Sequence, residues 1–318
     1  MSIFVSTICF LLIYTSILLV TALGGLFSEK SGVLALSLEG NMTIGALFGS
    51  IIMKLLPATV PGGISCILVI LAAMVGGILY SLLHALACIT FKANQTLVGT
   101  ALNILAVALS VVGIKILTAS PQLPAGNSRI NFTAFYEKFN FAIPGMETVR
   151  LNWLVFVILA LLPIAWFVLN KTKFGLRLCA CGENPSAADS VGVNVNRTRY
   201  AGVMICGALS GLGGLALILT GGEWEFASGA NGFGFLALAV LIFGQWKPFL
   251  VFVGALVFAL FKTISIVYPS IDFLARLNIS SYFYLMLPYI VCLIALIFTS
   301  KKNKAPKALG NPYNKGER

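Results

Sequence analysis

The sequence predicts an all-α fold, a polytopic transmembrane helical bundle of about nine spans, and three observations carry that reading. Hydrophobic residues make up 59% of the 318-residue chain and charged residues 10%, with a mean hydropathy of +0.98. An ordinary soluble domain is about 25% charged, so water could not solvate such a surface. The apolar residues fall in continuous runs close to the roughly 20 residues a helix needs to cross the hydrocarbon core. The runs also lack the period-two alternation of a membrane β-barrel, which leaves helices as the structure able to satisfy its own backbone in lipid.

Reading the runs against their flanks gives nine candidate spans: 3–23, 33–56, 64–89, 97–118, 151–169, 200–219, 226–244, 249–268 and 284–299. The first has no basic residue ahead of it in MSIFVSTICF and is longer than a typical signal-peptide core, so it is read as a retained helix. The second contains Glu39, Gly40 and Asn41, and the seventh starts in Ser228-Gly229-Ala230-Asn231-Gly232. Both are expected to be broken or partly re-entrant. His84 near the end of the third run reads as a satisfied interfacial residue. Gly45-x-x-x-Gly49 and Gly207-x-x-x-Gly211, the latter followed by Gly213-Gly214, place small residues on one helix face and read as close helix packing. The longest segment between runs, 119–150, holds Pro121, Pro124 and Pro144 with Phe132, Phe135, Tyr136, Phe139 and Phe141. It reads either as a partner-docking surface or as an amphipathic cover on the bilayer.

The net charge of +11 raises the question of nucleic acid, but the basic residues form no stripe with interleaved aromatics. Eleven of the 21 lie in two segments, Asn170–Arg199 and Lys301–Arg318. With nine spans and the N-terminus outside, the inner segments hold 14 of the 21 basic residues, so the positive-inside rule orients the chain N-out and C-in. Residues 1–300 form one transmembrane domain with a cytoplasmic loop at 170–199, and 301–318 form a basic cytoplasmic tail. The seven cysteines are scattered, and Cys179-x-Cys181 has the wrong spacing for a zinc or redox motif, so no disulfide framework or metal is implied.

The loop NKTKFGLRLCACGENPSAADSVGVNVNRTR is unlike the others, being long and locally helical. Asn184 is a good N-cap and Pro185 suits the first helical position, and Ser186 to Ser190 can form a turn or two before Gly192 ends them. A helix this short is marginal in water and needs a surface to pack on, either its own bundle or a partner.

Gly175-Leu176-Arg177, then Gly182-Glu183-Asn184-Pro185-x-Ala187-Ala188 and Gly192, leading into Ser210-Gly211-Leu212-Gly213-Gly214, resemble the coupling region of ATP-binding-cassette importer permeases. The relevant branch serves branched-chain amino acids, ribose-type sugars and nucleosides. Three further stretches resemble more narrowly the nucleoside (guanosine or uridine-type) permeases. They are Gly24-Gly25-Leu26-Phe27-Ser28-Glu29-Lys30-Ser31-Gly32, Leu38-Glu39-Gly40, and Gly232-Phe233-Gly234-Phe235-Leu236-Ala237-Leu238-Ala239 followed by Ile242-Phe243-Gly244-Gln245-Trp246-x-Pro248. The resemblance runs from about residue 20 to residue 300, and the chain departs from the family at Cys179 and Cys181.

The resemblance implies a type II-like importer permease in a bacterial cell (inner) membrane, with Gly182, Glu183, Asn184, Pro185, Ala187, Ala188 and Gly192 coupling it to an ATPase. It also implies a second, related permease in a heterodimer and an extracytoplasmic substrate-binding lipoprotein. The chain has no G-x-x-x-x-G-K-[ST] loop and no Gly-Lys pair, so no cofactor is expected on it, and ATP and magnesium would be held by the partner subunit. The competing classes are an ion-coupled secondary transporter, which usually needs ionisable residues in the membrane, and a membrane-embedded enzyme. No pairing of His, Asp or Glu resembles a catalytic constellation.

Candidate substrate-path residues are Glu39, Asn41, Asn103, Phe233 and Phe235. A nucleoside would offer ribose hydroxyls and base edges to the polar groups and a base to stack on a ring. The asparagines also read as bridges between helices, and Glu39 as the partner of a basic residue near the inner face.

Overall fold

The structure, a computed structural model, describes residues 2–57, 60–118, 130–131, 139–143, 146–220, 225–226, 229–270, 280–299 and 305–314. It is nearly all helical. The long helices are α1 (Ser2–Lys30), α2 (Leu38–Leu55), α3 (Gly62–Ala85, continued by a π-turn at Leu86–Thr90), α4 (Gln95–Thr118) and α5 (Leu154–Lys171). Two short helices follow, α6 (Lys173–Glu183) and α7 (Pro185–Ser190), and then α8 (Val195–Thr220), α9 (Phe233–Phe243), α10 (Pro248–Val267) and α11 (Ser281–Thr299). Two small antiparallel ribbons pair β1 (Ile130–Asn131) with β4 (Glu225–Phe226) and β2 (Asn140–Ile143) with β3 (Met146–Asn152).

Six of the described helices, α1, α3, α4, α5, α8 and α10, are long and apolar enough to cross a membrane. The irregular character expected of the seventh run takes a concrete form, and that expected of the second run does not. The seventh becomes α9, whose 11 residues span about 16 Å, roughly half a bilayer core. The second run is not broken at Glu39-Gly40-Asn41, which lie in the first turn of an unbroken α2; the non-helical stretch falls ahead of it, at 31–37, and takes in the start of the expected span. Of the aromatic cluster in 119–150, Phe132, Phe135 and Tyr136 lie outside the described residues, whereas Phe139 is buried and stacks on Trp153 at 5.9 Å.

The centre of the bundle is α8 with α1, α2 and α3 around it. In lipid there is no hydrophobic drive between helices, so close backbone approach and van der Waals contact must hold them. A Cβ on Gly45 would sit 2.3 Å from Gly211 Cα, and one on Gly77 would sit 2.0 Å from the Gly207 carbonyl oxygen. Three helices thus meet at backbone distance where the sequence placed its small residues. The outward faces of α3 and α4, with Leu71, Leu79, Ile104 and Ile116, are exposed and apolar, as a lipid-facing surface requires.

α1 extends seven residues beyond the apolar run, to Lys30, which brings Glu29 into the bundle. There its carboxylate accepts from Trp246 Nε1 at 2.6 Å and from the Ala35 amide at 3.4 Å. A buried carboxylate is tolerable when such donors are supplied, and a local reading of hydropathy cannot see them.

Candidate functional site

The chain leaves α1 at Ser31-Gly32, with Gly32 at φ +95°, a conformation that favours glycine. Residues 31–37 would be costly inside a bundle unless every backbone group found a partner. Several of them are paired by side chains from other helices. The Leu34 amide donates to Gln95 Oε1 at 2.8 Å and the Leu34 carbonyl lies 3.1 Å from His84 Nε2. The Val33 carbonyl accepts from Ser28 Oγ, and the Leu36 carbonyl accepts from Asn103 Nδ2 at 2.8 Å. Asn103 Oδ1 in turn accepts from the Gly40 amide at 2.9 Å, so both ends of this amide are held by backbone. Tyr80 adds a hydroxyl bond to the Leu102 carbonyl beside it.

The second break is built differently. Asn231 and Gly232 both have positive φ, at +50° and +84°, and they turn the chain into α9. The amides of Gly232 and Gly234 donate to Glu39 Oε1 and Oε2, both at 2.7 Å. Rather than a basic side chain, Glu39 meets the positive end of a helix, where a carboxylate satisfies orphan amides and the helix dipole together. Thr43 Oγ1 supports the same turn from one helical turn further along α2, accepting from the Ala230 amide at 3.2 Å. The N-termini of two discontinuous helices, α2 and α9, therefore converge on one carboxylate.

Around this junction Phe233 is buried, stacked 5.9 Å from Tyr14 and lying 5.3 Å from the Lys262 ammonium. Phe235, two residues on, is exposed. Asn41 is 1% exposed, and neither its amide nitrogen nor its oxygen has a hydrogen-bond partner among the described residues. The structure thus gathers Glu39 and Phe233 at one junction and ties Asn103 to the adjoining linker. Asn41 is left buried and unpaired, and Phe235 lies on the surface. Lys262, Thr43, Gln95 and Tyr14 are partners that the candidate residues did not include. Lys262 carried a legible signal, an ionisable residue inside an apolar run.

The other candidate region stands at the end of the bundle that carries Lys30 and Arg199. Asn184 Oδ1 accepts from the Ala187 amide at 3.1 Å, Pro185 occupies the first turn of α7, and Gly192 at φ +83° ends the turn that follows it. α7 buries Ala188 against Cys181 and Val195, while Glu183, Asn184, Ala187 and Gly192 are exposed and Pro185 is half-buried. Val191, at its end, is 78% exposed. Gly182 packs on the Lys30 carbonyl so closely that a Cβ there would come within 2.3 Å of the oxygen. Burial pushes the Cys181 thiol up, which suits a packing residue and disfavours a reactive thiolate.

Comparison with known proteins covers nearly the whole chain. The chain is 39% identical over 316 residues to the guanosine ABC transporter permease protein NupQ of Bacillus subtilis, covering 96% of each. It is 37% identical over 311 residues to the nucleoside ABC transporter permease protein NupC of Lactococcus lactis, again covering 96% of each. The guanosine ABC transporter permease protein NupP of Bacillus subtilis is 24% identical over 223 residues, 69% of this chain and 62% of NupP. The profile of the family described as branched-chain amino acid transport system / permease component matches residues 7–296. With nearly the whole apolar bundle inside that match, the chain belongs to this family of ABC transporter permeases and is a transport subunit rather than an enzyme.

Proposed function

We propose that the chain forms half of the translocation pathway of an ATP-driven nucleoside importer and takes its energy from a separate ATPase through α7. The observation that carries this reading is α7 itself, a six-residue helix capped by Asn184 and stopped at Gly192, with one side buried on Cys181 and Val195 and the other exposed. α7 is held by its own bundle on one side, and the exposed side, with Ala187 and Val191, is free to meet a partner. ATP-driven closure of the ATPase would move Gly182–Gly192 as a unit.

The nucleoside assignment is supported by the names and near-complete coverage of NupQ and NupC. The occurrence of both NupP and NupQ as guanosine permeases in one organism supports a heterodimer with a related second permease. A substrate-binding lipoprotein completes the proposed complex. The N-out, C-in topology of about nine crossings in a bacterial inner membrane is supported by the 14 of 21 basic residues that it places in inner segments, and it puts α7 on the cytoplasmic side.

Asn41 supports a pathway near the α2–α9 junction, because a buried amide without a protein partner is available to a hydroxyl-rich solute. Uptake of labelled guanosine and uridine by cells carrying or lacking the partner ATPase tests the reading. Uptake should vanish without the ATPase, and uptake that persists overturns it in favour of an ion-coupled carrier. Competition by ribose or leucine in place of nucleosides would overturn the substrate assignment.

A further inference from the structure

Residues 305–314 lie across the face that carries α6 and α7 and bond to four separate parts of the chain. The Ala308 amide donates to the Gly182 carbonyl at 2.9 Å, at the end of α6. The Gly310 amide donates to the Gly32 carbonyl at 3.2 Å, at the start of the linker that leads into α2. The Asn311 carbonyl accepts from Arg199 Nη1 at 3.0 Å, in the first turns of α8, and Asn314 accepts from Lys92 Nζ. Tyr313 packs against the cluster of Cys181, Ala188 and Val195, beside the Asp189 carboxylate of α7.

The segment is stiff where it makes these contacts. Its own turns close through Leu309 to Pro306 and Asn311 to Ala308, prolines stand at 306 and 312, and Gly310 at φ +80° aims its amide at the linker. It also shields Arg199, which is 2% exposed and whose Nε and Nη2 have no partner among the described residues. A buried guanidinium with one described hydrogen bond holds its place only while its cover stays closed.

We propose that residues 305–314 are a strap that carries the movement of α7 to the linker at 31–37 and so to the junction of Glu39 with α9. Tyr313 and Gly310 are positioning residues for that transmission, and the inference rests on the importer reading given above. α6 and the linker are far apart in sequence and touch at Gly182 and Lys30, a van der Waals contact that can press but cannot pull. One bond from the strap to each of them, with Tyr313 anchored on α7, makes the coupling act in both directions. The strap has no need to leave when an ATPase docks, because it lies on the buried side of α7 and leaves Ser186, Ala187, Ser190 and Val191 exposed.

The test uses the full complex in proteoliposomes, chain, second permease, ATPase and binding protein, with nucleoside uptake and ATP hydrolysis measured together. Tyr313→Ala, which removes the ring from Ala188, should lower uptake per ATP hydrolysed by about twofold to tenfold. Gly310→Val, which forces a branched residue to positive φ against Leu34, should lower it further, and deletion of 305–318 furthest. In each case the ATPase should still co-purify with the chain. If uptake and hydrolysis fall in parallel, the segment merely stabilises the fold and the proposal is overturned. It is equally overturned if uptake per ATP is unchanged in both point variants, or if the ATPase no longer binds, which would make the segment a docking surface. Failure of the importer reading is distinct, since the unaltered complex would then show no ATP-driven uptake.

Discussion

The two breaks in the helical bundle solve one problem in opposite ways. Residues 31–37 are stitched by side chains from α1, α3 and α4, each satisfying one or two backbone groups, so no single residue holds the segment. The turn into α9 depends on one carboxylate, that of Glu39, with Thr43 as a secondary support. Distributed pairing makes a segment stiff and tolerant, whereas a single charge-assisted clasp makes a junction strong but releasable. That contrast makes the α2–α9 junction, where two helix N-termini meet, the more sensitive of the two to a single substitution.

Glu39→Ala should be the most damaging change, because it orphans two buried amides at a helix N-terminus and removes the charge that faces them. A loss of about 4 kcal/mol is expected, read as a lower thermal midpoint of the detergent-solubilised protein. Glu39→Gln, which keeps an acceptor oxygen, should recover part of it. Next comes Asn103→Ala, which unpairs the Gly40 amide and the Leu36 carbonyl at a cost of about 2 kcal/mol, while the neighbouring stitches keep 31–37 in place. Equal losses at Glu39 and Asn103 would break the contrast between the two joints.

Asn41→Ala sharpens the comparison from the side of the solute. Its amide serves no described protein group, so stability should change by less than about 0.5 kcal/mol, whereas the apparent KM for nucleoside uptake should rise roughly threefold to tenfold. A large fall in thermal midpoint with an unaltered KM would make Asn41 a structural residue. The smallest effect is expected at Asn184→Ala, where loss of the N-cap costs α7 about 1 kcal/mol. Because α7 is only six residues long, that is enough to fray it, and uptake should fall while the thermal midpoint of the bundle stays within a degree or two.

Much of α7 was legible because its signals are local. An N-cap, a proline at the first position and a glycine at positive φ act within a few residues of each other, and the structure has all three in place. The close contacts of Gly45, Gly207 and Gly211 were legible in kind, since small residues at four-residue spacing can mean little else in a bundle, whereas Gly77 as their partner was not. Which helix each would touch was not. Glu29 fell outside the apolar run that marks the first span, and its burial depends on Trp246, more than 200 residues later. Asn103 looked equally suited to a solute or a helix until its partners at Leu36 and Gly40 were known.

The sequence by itself determined that the chain lives in a bilayer as helices, that the start of the seventh run interrupts them, and that one short capped helix stands in the most polar loop; it put the break of the second run at Glu39–Asn41 rather than at 31–37. Composition, run length and capping chemistry are properties of neighbouring residues, so they can be read in order. Only the tertiary structure decided that the two interruptions meet at Glu39, that Asn103 and His84 hold one of them, and that the last described residues bind the linker to α6. In a membrane every backbone group freed from a helix must be satisfied by some donor or acceptor, but the chain can bring that partner from anywhere in its length.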